Sequence, residues 1–300
     1  MRQIKFDKQY AYVNKNFSRI VCYELSGTDE LLLGREVLPR KCRFCGSESH
    51  EMFSQQAHAI PRFIGNRVLK TLYECDKCNS FFSDLESNFS NFMALYHIFS
   101  HVNKKEYRNN SKSRVVAQQD GIDIYLVPGD KNLSVTLDRA GKTITVDGVR
   151  SYIPLYVYKV FVKMALSIMP EVEMHNFNFT TQWLMSNNVV IPNLYLSIRM
   201  YQGLEPFNGA CMIYKRRDKV KDNVPCYLFG LMYNNFFFQI CIPLCIQDMT
   251  LTGKVNMPYI PCHLDKKGVL YNEYWYNLSS STKIMKEKIS LTFDVGDWII

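Results

Sequence analysis

The sequence has little glycine and proline, 14 and 11 of its 300 residues, and no long polar tract. This composition excludes a mainly disordered chain, because 47% of the residues are hydrophobic and can form a core. A membrane span is excluded as well. The most apolar run, Phe236–Ile246, is 11 residues long and contains Pro243, whereas a spanning helix needs about 20 residues. The segment Met1–Asp7 lacks the apolar stretch of a secretion signal. We therefore expect a cytoplasmic protein without membrane contact.

A disulfide framework is also missing, although the sequence contains 10 cysteines. Four of them form two Cys-x-x-Cys pairs, and the other six lie mostly in apolar runs without regular spacing. That distribution is typical of buried free thiols in a reducing compartment. The six unpaired positions are Cys22, Cys211, Cys226, Cys241, Cys245 and Cys262.

Acidic residues are outnumbered, since 36 Lys and Arg against 28 Asp and Glu give a net charge of +8. This imbalance favours a polyanionic partner such as nucleic acid. Basic residues surround the cysteine pairs, and a second basic run spans Lys215–Lys221. Both patterns are typical of phosphate contacts and equally typical of solvated surface charge. The basic residues near the cysteines are Arg40, Lys41, Arg43, Arg62, Arg67, Lys70 and Lys77.

The two cysteine pairs are Cys42-Arg-Phe-Cys45 and Cys75-Asp-Lys-Cys78. Two pairs with this spacing predict a structural zinc site, because each pair can place two thiolates on one tetrahedral metal. The alternative, four unrelated buried cysteines, leaves both spacings to coincidence. Four thiolates close the coordination shell, so we expect this zinc to hold the surrounding chain in place and to perform no chemistry.

The segment between and after the cysteine pairs predicts a small zinc-stabilised unit. Its expected order is metal-binding turn, strand, loop, strand, metal-binding turn and helix. The predicted elements are an extended segment over Met52–Ile60, a loop over Arg62–Thr71, a strand over Leu72–Glu74 and a helix from Asp76 with an apolar face of Phe81, Phe82, Leu85, Phe89, Phe92, Met93 and Tyr96.

Three parts of the chain are predicted. Residues 1–40 form a lead-in segment with a strand at Arg19–Leu25 that packs on the zinc unit, residues 41–108 form the zinc unit, and residues 109–300 form a second domain. The polar, basic stretch 102–113 marks the boundary. The second domain is expected to be α+β and largely antiparallel. Its predicted elements are an antiparallel meander over 114–150, helices at Pro154–Met169 and Phe179–Ser186, strands at 194–200, 210–214, 227–233 and 236–244, and a hairpin turn at Asn234-Asn235.

Residues 42–86 resemble the HNH, or ββα-metal, nuclease family, and in particular its subset with two Cys-x-x-Cys pairs framing the active site. The matching residues are Cys42-x-x-Cys45-Gly46, Ala57-His58-x-Ile-Pro61, Gly65-Asn66, Cys75-x-x-Cys78-Asn79 and Leu85-Glu86. The resemblance implies that His58 is the general base and that Asn79 helps to hold a catalytic divalent cation.

The chemistry of phosphodiester hydrolysis agrees with these roles. A histidine can accept the proton of an attacking water at neutral pH, and a hard cation, Mg²⁺ or Mn²⁺, can stabilise charge on the phosphate. Glu86 lies seven residues after Asn79 on the same helical face and is the candidate for a second cation ligand. Each residue also has a structural interpretation: His58 capping a strand, Asn79 capping a helix and Glu86 as a solvated helix residue.

Two positions depart from the family pattern. Family members often carry Asp or Glu directly before the histidine as a cation ligand, where this chain has Ala57. Lys70 and Thr71 occupy the region in which a middle asparagine is common. Gln56, Asn66 or Glu86 are the residues that can compensate.

The sequence therefore predicts a metal-dependent endonuclease acting on DNA, expected to be double-stranded, with a structural zinc and a catalytic Mg²⁺ or Mn²⁺. We expect an effector in bacterial anti-phage or mobile-element conflict, oligomeric and activated through its C-terminal domain by a partner subunit or a small-molecule signal. Two alternatives stay open. One is a non-catalytic zinc protein that binds nucleic acid or docks a protein, and the other is a nuclease directed at RNA.

Overall fold

The structure is a computed structural model that describes residues 2–34, 40–48, 52–98, 113–118, 121–126, 133–138, 140, 143–186, 189–201, 209–253, 255–262, 265 and 271–294. Its helices are α1 (Arg2–Asn16), α2 (Asp76–Ile98), α3 (Pro154–Ile168) and α4 (Asn178–Met185). Its strands are β1 (Phe17–Glu24), β2 (Leu31–Leu33), β3 (Ala57–His58), β4 (Leu69–Thr71), β5 (Ser113–Gln118), β6 (Gly121–Leu126), β7 (Leu133–Asp138), β8 (Thr143–Tyr152), β9 (Tyr195–Tyr201), β10 (Ala210–Arg216), β11 (Tyr227–Tyr233), β12 (Phe236–Cys241), β13 (Tyr271–Asn277) and β14 (Ile284–Asp294).

The largest sheet has six strands in the order β1-β10-β11-β12-β9-β13, and every neighbouring pair is antiparallel. Strand β11 is buried at all seven positions, which explains its continuous apolar sequence. Asn234 adopts a positive φ of 49° between β11 and β12, as a tight hairpin turn requires. The prediction of a largely antiparallel α+β fold is confirmed, and the strands predicted for this sheet lie within a few residues of the observed ones.

The segment predicted as a lead-in, residues 1–40, is shared between two sheets. Strand β1 pairs with β10 over the register Phe17↔Arg216 to Glu24↔Ala210, so it belongs to the large sheet. Strand β2 pairs in parallel with β4 of the zinc unit. Helix α1, which the sequence did not predict, precedes β1 and buries Val13 against the large sheet.

The predicted meander over 114–150 is observed as two hairpins. Strands β5 and β6 form a two-stranded sheet, and β7 and β8 form a three-stranded sheet with β14 from the end of the chain. The predicted boundary at 102–113 lies, except for residue 113, outside the described residues. Strands β13 and β14 follow the last strand that the sequence predicted.

Helix α3 lies at the centre of the core. It is buried on all sides, which agrees with its nearly uniform apolar sequence. One side packs on α2, where the Phe89 and Phe161 rings meet edge to face with centroids 4.9 Å apart. Arg150 of β8 links that strand to α2 by donating to the Phe92 carbonyl at 2.9 Å. Within the described ranges, none of the helices combines the length and the apolar character needed to cross a bilayer.

Candidate functional site

Strands β3 and β4 and helix α2 form the framework of the site. β3 and β4 are antiparallel, with Ala57 opposite Thr71 and His58 opposite Lys70. The observed strands differ from the predicted ones: the segment 52–60 is regular only at Ala57–His58, and the second strand lies at 69–71, inside the predicted loop, instead of at 72–74. The chain turns back earlier than the hydrophobic pattern indicated, because buried polar contacts determine where this connection ends.

Those contacts come from Asn66, which is fully buried between the two strands. Its Nδ2 donates to the Ile60 carbonyl at 2.6 Å and to the Leu69 carbonyl at 2.9 Å. Its Oδ1 accepts a hydrogen bond from the Leu69 amide at 2.8 Å. Gly65 precedes it with φ of 90°, in the left-handed region that favours glycine. Asn66 thus replaces missing main-chain partners and fixes the β3–β4 connection.

The four predicted zinc ligands come together. Their Sγ atoms all lie within 4.8 Å of one another, with Cys42 and Cys78 3.7 Å apart and Cys45 and Cys75 3.6 Å apart. Tetrahedral coordination with Zn–S bonds of about 2.3 Å separates sulfurs by about 3.8 Å. Cys45 is exposed and the other three are buried. The cluster therefore fits a thiophilic metal such as zinc, which would cross-link the turn at 42–46 to the start of α2.

A carboxylate at the first residue of α2 ties the same helix end to the chain before β3. Asp76 accepts hydrogen bonds from the Ser54 hydroxyl at 2.6 Å, the Ser54 amide at 3.0 Å and the Gln55 amide at 3.0 Å. The bond from Ser54 lowers the pKa of Asp76, so the carboxylate remains ionised at neutral pH. The Asp76 carboxylate consequently holds the start of α2 against the segment that precedes β3.

His58, the predicted base, is half-buried at the end of β3. Its buried Nδ1 has no hydrogen-bond partner in the part of the chain that the structure describes. Burial is the largest cause that lowers the pKa of His58, and the cationic side chains of Arg62, Lys70 and Lys163 add to it against the opposing charge of Glu30; together they place the pKa at about 4. The imidazole is therefore neutral at pH 7 and lies in a positive environment.

Asn79 and Glu86, the predicted cation ligands, are both engaged by other side chains. Asn79 follows Cys78 in the first turns of α2, and its Nδ2 donates to the Gln55 Oε1 at 3.3 Å. The Glu86 Oε1 lies 3.5 Å from the Lys163 Nζ, and the Glu86 side chain is 25% exposed. The roles of these two residues as ligands stay a prediction.

Among the residues that the structure describes, no protein site for a catalytic divalent cation is formed. Apart from the four cysteines, the described residues contain no group of three or more His, Cys, Asp or Glu side chains placed to share an ion. Ala57 is 2% exposed and adds no oxygen ligand. The donor set around Asn79 and Glu86 therefore does not fit Mg²⁺ or Mn²⁺ held by protein carboxylates alone.

Protein-family models, curated proteins and solved structures all give no match to this chain. The resemblance of residues 42–86 to a nuclease module consequently depends on its own residues and on their arrangement.

Sequence reasoning missed Lys163, which comes from α3, in the part of the chain predicted as a second domain. Its Nζ donates to the His58 carbonyl at 2.8 Å and forms an ion pair with Glu74 at 3.1 Å. Burial alone would lower the pKa of Lys163, but the Glu74 and Glu86 carboxylates raise it, so the ammonium is charged. The available signal was a lysine pair, Lys159 and Lys163, within an otherwise apolar helix.

Proposed function

We propose that this chain is an endonuclease of the HNH, or ββα-metal, type that hydrolyses DNA phosphodiester bonds with His58 as general base. The observation that carries the proposal is the β3–β4 hairpin with His58 at the end of β3, together with a four-cysteine cluster that would cross-link the turn at 42–46 to the start of α2. A metal-stabilised hairpin and helix presenting one histidine is the arrangement that the resemblance implies.

The electrostatics around His58 support a phosphate substrate. Because its pKa is lowered to about 4, the imidazole is unprotonated at neutral pH and can accept a proton from water. Arg62, Lys70 and Lys163, the cations that lower this pKa, also favour an anion at the same place. A bound phosphodiester would raise the pKa of His58 and so make it a stronger base. A buried ring nitrogen without a partner is uncommon outside functional sites.

Cleavage is proposed to require Mg²⁺ or Mn²⁺. Because protein carboxylates alone do not form a site for the ion, Asn79 and Glu86 would hold it together with bound water. The zinc cluster has a separate task, because four thiolates leave no open coordination position.

The test is cleavage of supercoiled plasmid DNA by the purified protein with Mg²⁺, Mn²⁺ or no added cation. The His58→Ala variant should lose cleavage by a factor on the order of 10² or more while its zinc content and circular dichroism remain those of wild type. Asn14→Ala is the control, since Asn14 is exposed on α1, away from β3 and from the cysteine cluster. Equal cleavage by wild type and His58→Ala would contradict the mechanism.

A second candidate function is a non-cutting module that binds nucleic acid or docks a protein. The absence of a carboxylate cluster among the described residues, with Ala57 buried beside His58, is the observation that favours it. DNA binding in a gel shift without cleavage under any cation would support this candidate. Cleavage of RNA in preference to DNA would instead show that the nuclease acts on RNA. Both substrates are compatible with a site that recognises the geometry of the phosphate more than the identity of the sugar.

We also propose that the second domain regulates the nuclease, as expected for an effector in bacterial conflict that responds to a partner subunit or a small molecule. A cleft of about 890 Å³ between the turn at 42–46 and α4 supports a small-molecule signal. Its walls include Arg40, Tyr73, Asn178 and Gln182. Size-exclusion chromatography of the full chain, with and without DNA, tests the expected oligomer.

A further inference from the structure

Lys163 connects three parts of the candidate site from outside the zinc unit. Its ammonium donates to the main-chain carbonyl of His58 at 2.8 Å and lies 3.1 Å from the Glu74 carboxylate and 3.5 Å from that of Glu86. His58 is in β3, Glu74 directly precedes Cys75, and Glu86 is in α2. Lys163 itself is in α3. One side chain of the second domain therefore reaches the strand end, the metal-binding turn and the helix.

The burial of this cluster makes the contact specific. The side chains of Lys163 and Glu74 are 2% and 0% exposed. A buried charge without its partner is strongly destabilising, and a buried ion pair adds little net stability compared with apolar residues of the same size. Lys163 is therefore better explained by the geometry that it imposes than by a contribution to stability.

A second cationic side chain connects the same two parts of the chain in the opposite direction, from the zinc unit to α3. Arg43, in the turn between Cys42 and Cys45, donates from Nη1 to the Leu166 carbonyl at 2.5 Å and to the Met169 carbonyl at 2.9 Å. These carbonyls lie at the C-terminal end of α3, where a cation is favourable. The zinc unit holds the end of α3, while α3 holds the end of β3 through Lys163. The two parts of the chain thus fix each other at two points.

We propose that Lys163 is a positioning residue, through which docking of α3 sets the orientation of His58 and of Glu86. The second domain is then a structural part of the nuclease site. This inference rests on the proposed function for its effect on cleavage, although the placement of His58 can be measured independently of cleavage.

The test compares Lys163→Met with Lys159→Met in the full chain. Lys159 is the matched control, because it lies one turn earlier on α3, is equally buried and donates to the Trp183 and Leu184 carbonyls, away from His58. Both variants should lower the unfolding temperature. Only Lys163→Met should lower the rate of DNA cleavage at saturating DNA, by a factor on the order of 10–100, since small misplacements of reacting groups have effects of that size.

Nuclear magnetic resonance of the His58 ring separates this inference from the proposed function. The charged groups around His58 are Arg62, Lys70, Lys163 and Glu30. Loss of the Lys163 charge raises the His58 pKa by itself, so the orientation of the ring is followed by its nuclear Overhauser contacts with neighbouring side chains. Lys163→Met should change these ring contacts, while Lys159→Met leaves them unchanged. If wild type does not cleave DNA but the ring contacts change, the proposed function fails and the positioning role stands. Unchanged ring contacts of His58 in Lys163→Met would overturn the positioning role, whatever the cleavage result.

The double variant Lys163→Met/Glu74→Gln covers the case in which the single variant does not fold. Removing both charges avoids an unpaired buried carboxylate, so folding and zinc content should recover. The cleavage rate should remain low and the ring contacts of His58 altered. Recovery of wild-type ring contacts and cleavage together with stability would show that Lys163 has only a structural role, and the proposal would then be wrong.

Discussion

At the scale of single residues, His58 is unusual in its protonation state and in its hydrogen bonding. Half-burial among cations disfavours its protonated form, and the unpaired Nδ1 leaves a polar atom without a partner in the described part of the chain. Both features cost folding free energy. A neutral imidazole in a positive environment is, however, the state in which a histidine can take a proton beside a phosphate.

The lowered pKa of His58 predicts how stability changes with pH. In the folded state the pKa is about 4, and the ordinary value is 6.5. Between these values the unfolded chain binds a proton that the folded chain does not, so stability rises with pH in this window and falls as pH decreases from 6.5 towards 4. Replacing His58 by Gln removes this contribution.

Urea unfolding of wild type and His58→Gln at several pH values between 4 and 7 measures the effect. The difference in the free energy of unfolding between the two proteins should change steadily through this window and level off above pH 6.5. Parallel curves for the two proteins would show that the pKa of His58 is not lowered on folding.

The predicted site residues that the structure brings together are those whose pattern depends on local spacing. The four cysteines were recognisable because two residues between ligands is a property of the sequence itself. Lys163 was not, because its partners Glu74 and His58 are brought to it only by packing of α3 on the zinc unit. The predictions for Asn79 and Glu86 identify positions on α2 and stay predictions as to ligands.

At the scale of elements, the β3–β4 connection depends on one buried amide. Replacing Asn66 by Ala leaves the Leu69 amide and the Ile60 carbonyl without the partners that Asn66 provides. We expect a loss of about 2 kcal/mol or more in the free energy of unfolding, since a buried polar group without a partner costs about 1–3 kcal/mol. If the proposed nuclease function is right, cleavage should fall as well, because His58 lies on β3.

Chemical denaturation of Asn66→Ala beside Asn14→Ala checks this expectation. Asn14 is exposed on α1, and alanine there favours helix formation, so this control should be as stable as wild type or slightly more stable. A loss of stability in Asn66→Ala that is no larger than in Asn14→Ala would mean that the main chain closes the connection without the Asn66 amide.

Elements with strong periodicity were predictable, and those that depend on distant partners were not. The hydrophobic patterns of their own sequences predict the apolar face of α2 and the uniform burial of α3 and β11. Helix α1 has a polar sequence that gave no such pattern. Strand β4 was displaced from its predicted position because Asn66, a side-chain contact, determines where the connection ends.

At the scale of the whole molecule, the zinc unit and the second domain share a core. Arg43 and Lys163 connect them through α3, and the Phe89 and Phe161 rings pack between them. Loss of the metal should therefore affect more than residues 41–108. The domain boundaries predicted from the sequence were placed by changes in amino-acid composition, and they stay a prediction.

Chelation of the metal tests this coupling. A chelator that competes with thiolates should lower the unfolding temperature of the full chain in one transition, because a structural zinc contributes folding free energy to everything that unfolds with it. Differential scanning calorimetry with parallel measurement of released zinc gives the result. Cys22→Ser, which changes an exposed thiol outside the cluster, should respond as wild type does. Two transitions, with only one sensitive to the chelator, would show that the parts unfold separately.

The position of β1 at the edge of the large sheet has a consequence for synthesis on the ribosome. Tyr12 and Asp222, which meet where α1 packs beside this edge, are 210 residues apart in sequence. At about 5–20 residues per second, roughly 10–40 seconds pass between their translation. During that interval β1 has no β10 to pair with, and its main-chain groups are open to other chains. The nascent protein is therefore expected to need chaperone protection early, before the central strands of the large sheet have been synthesised.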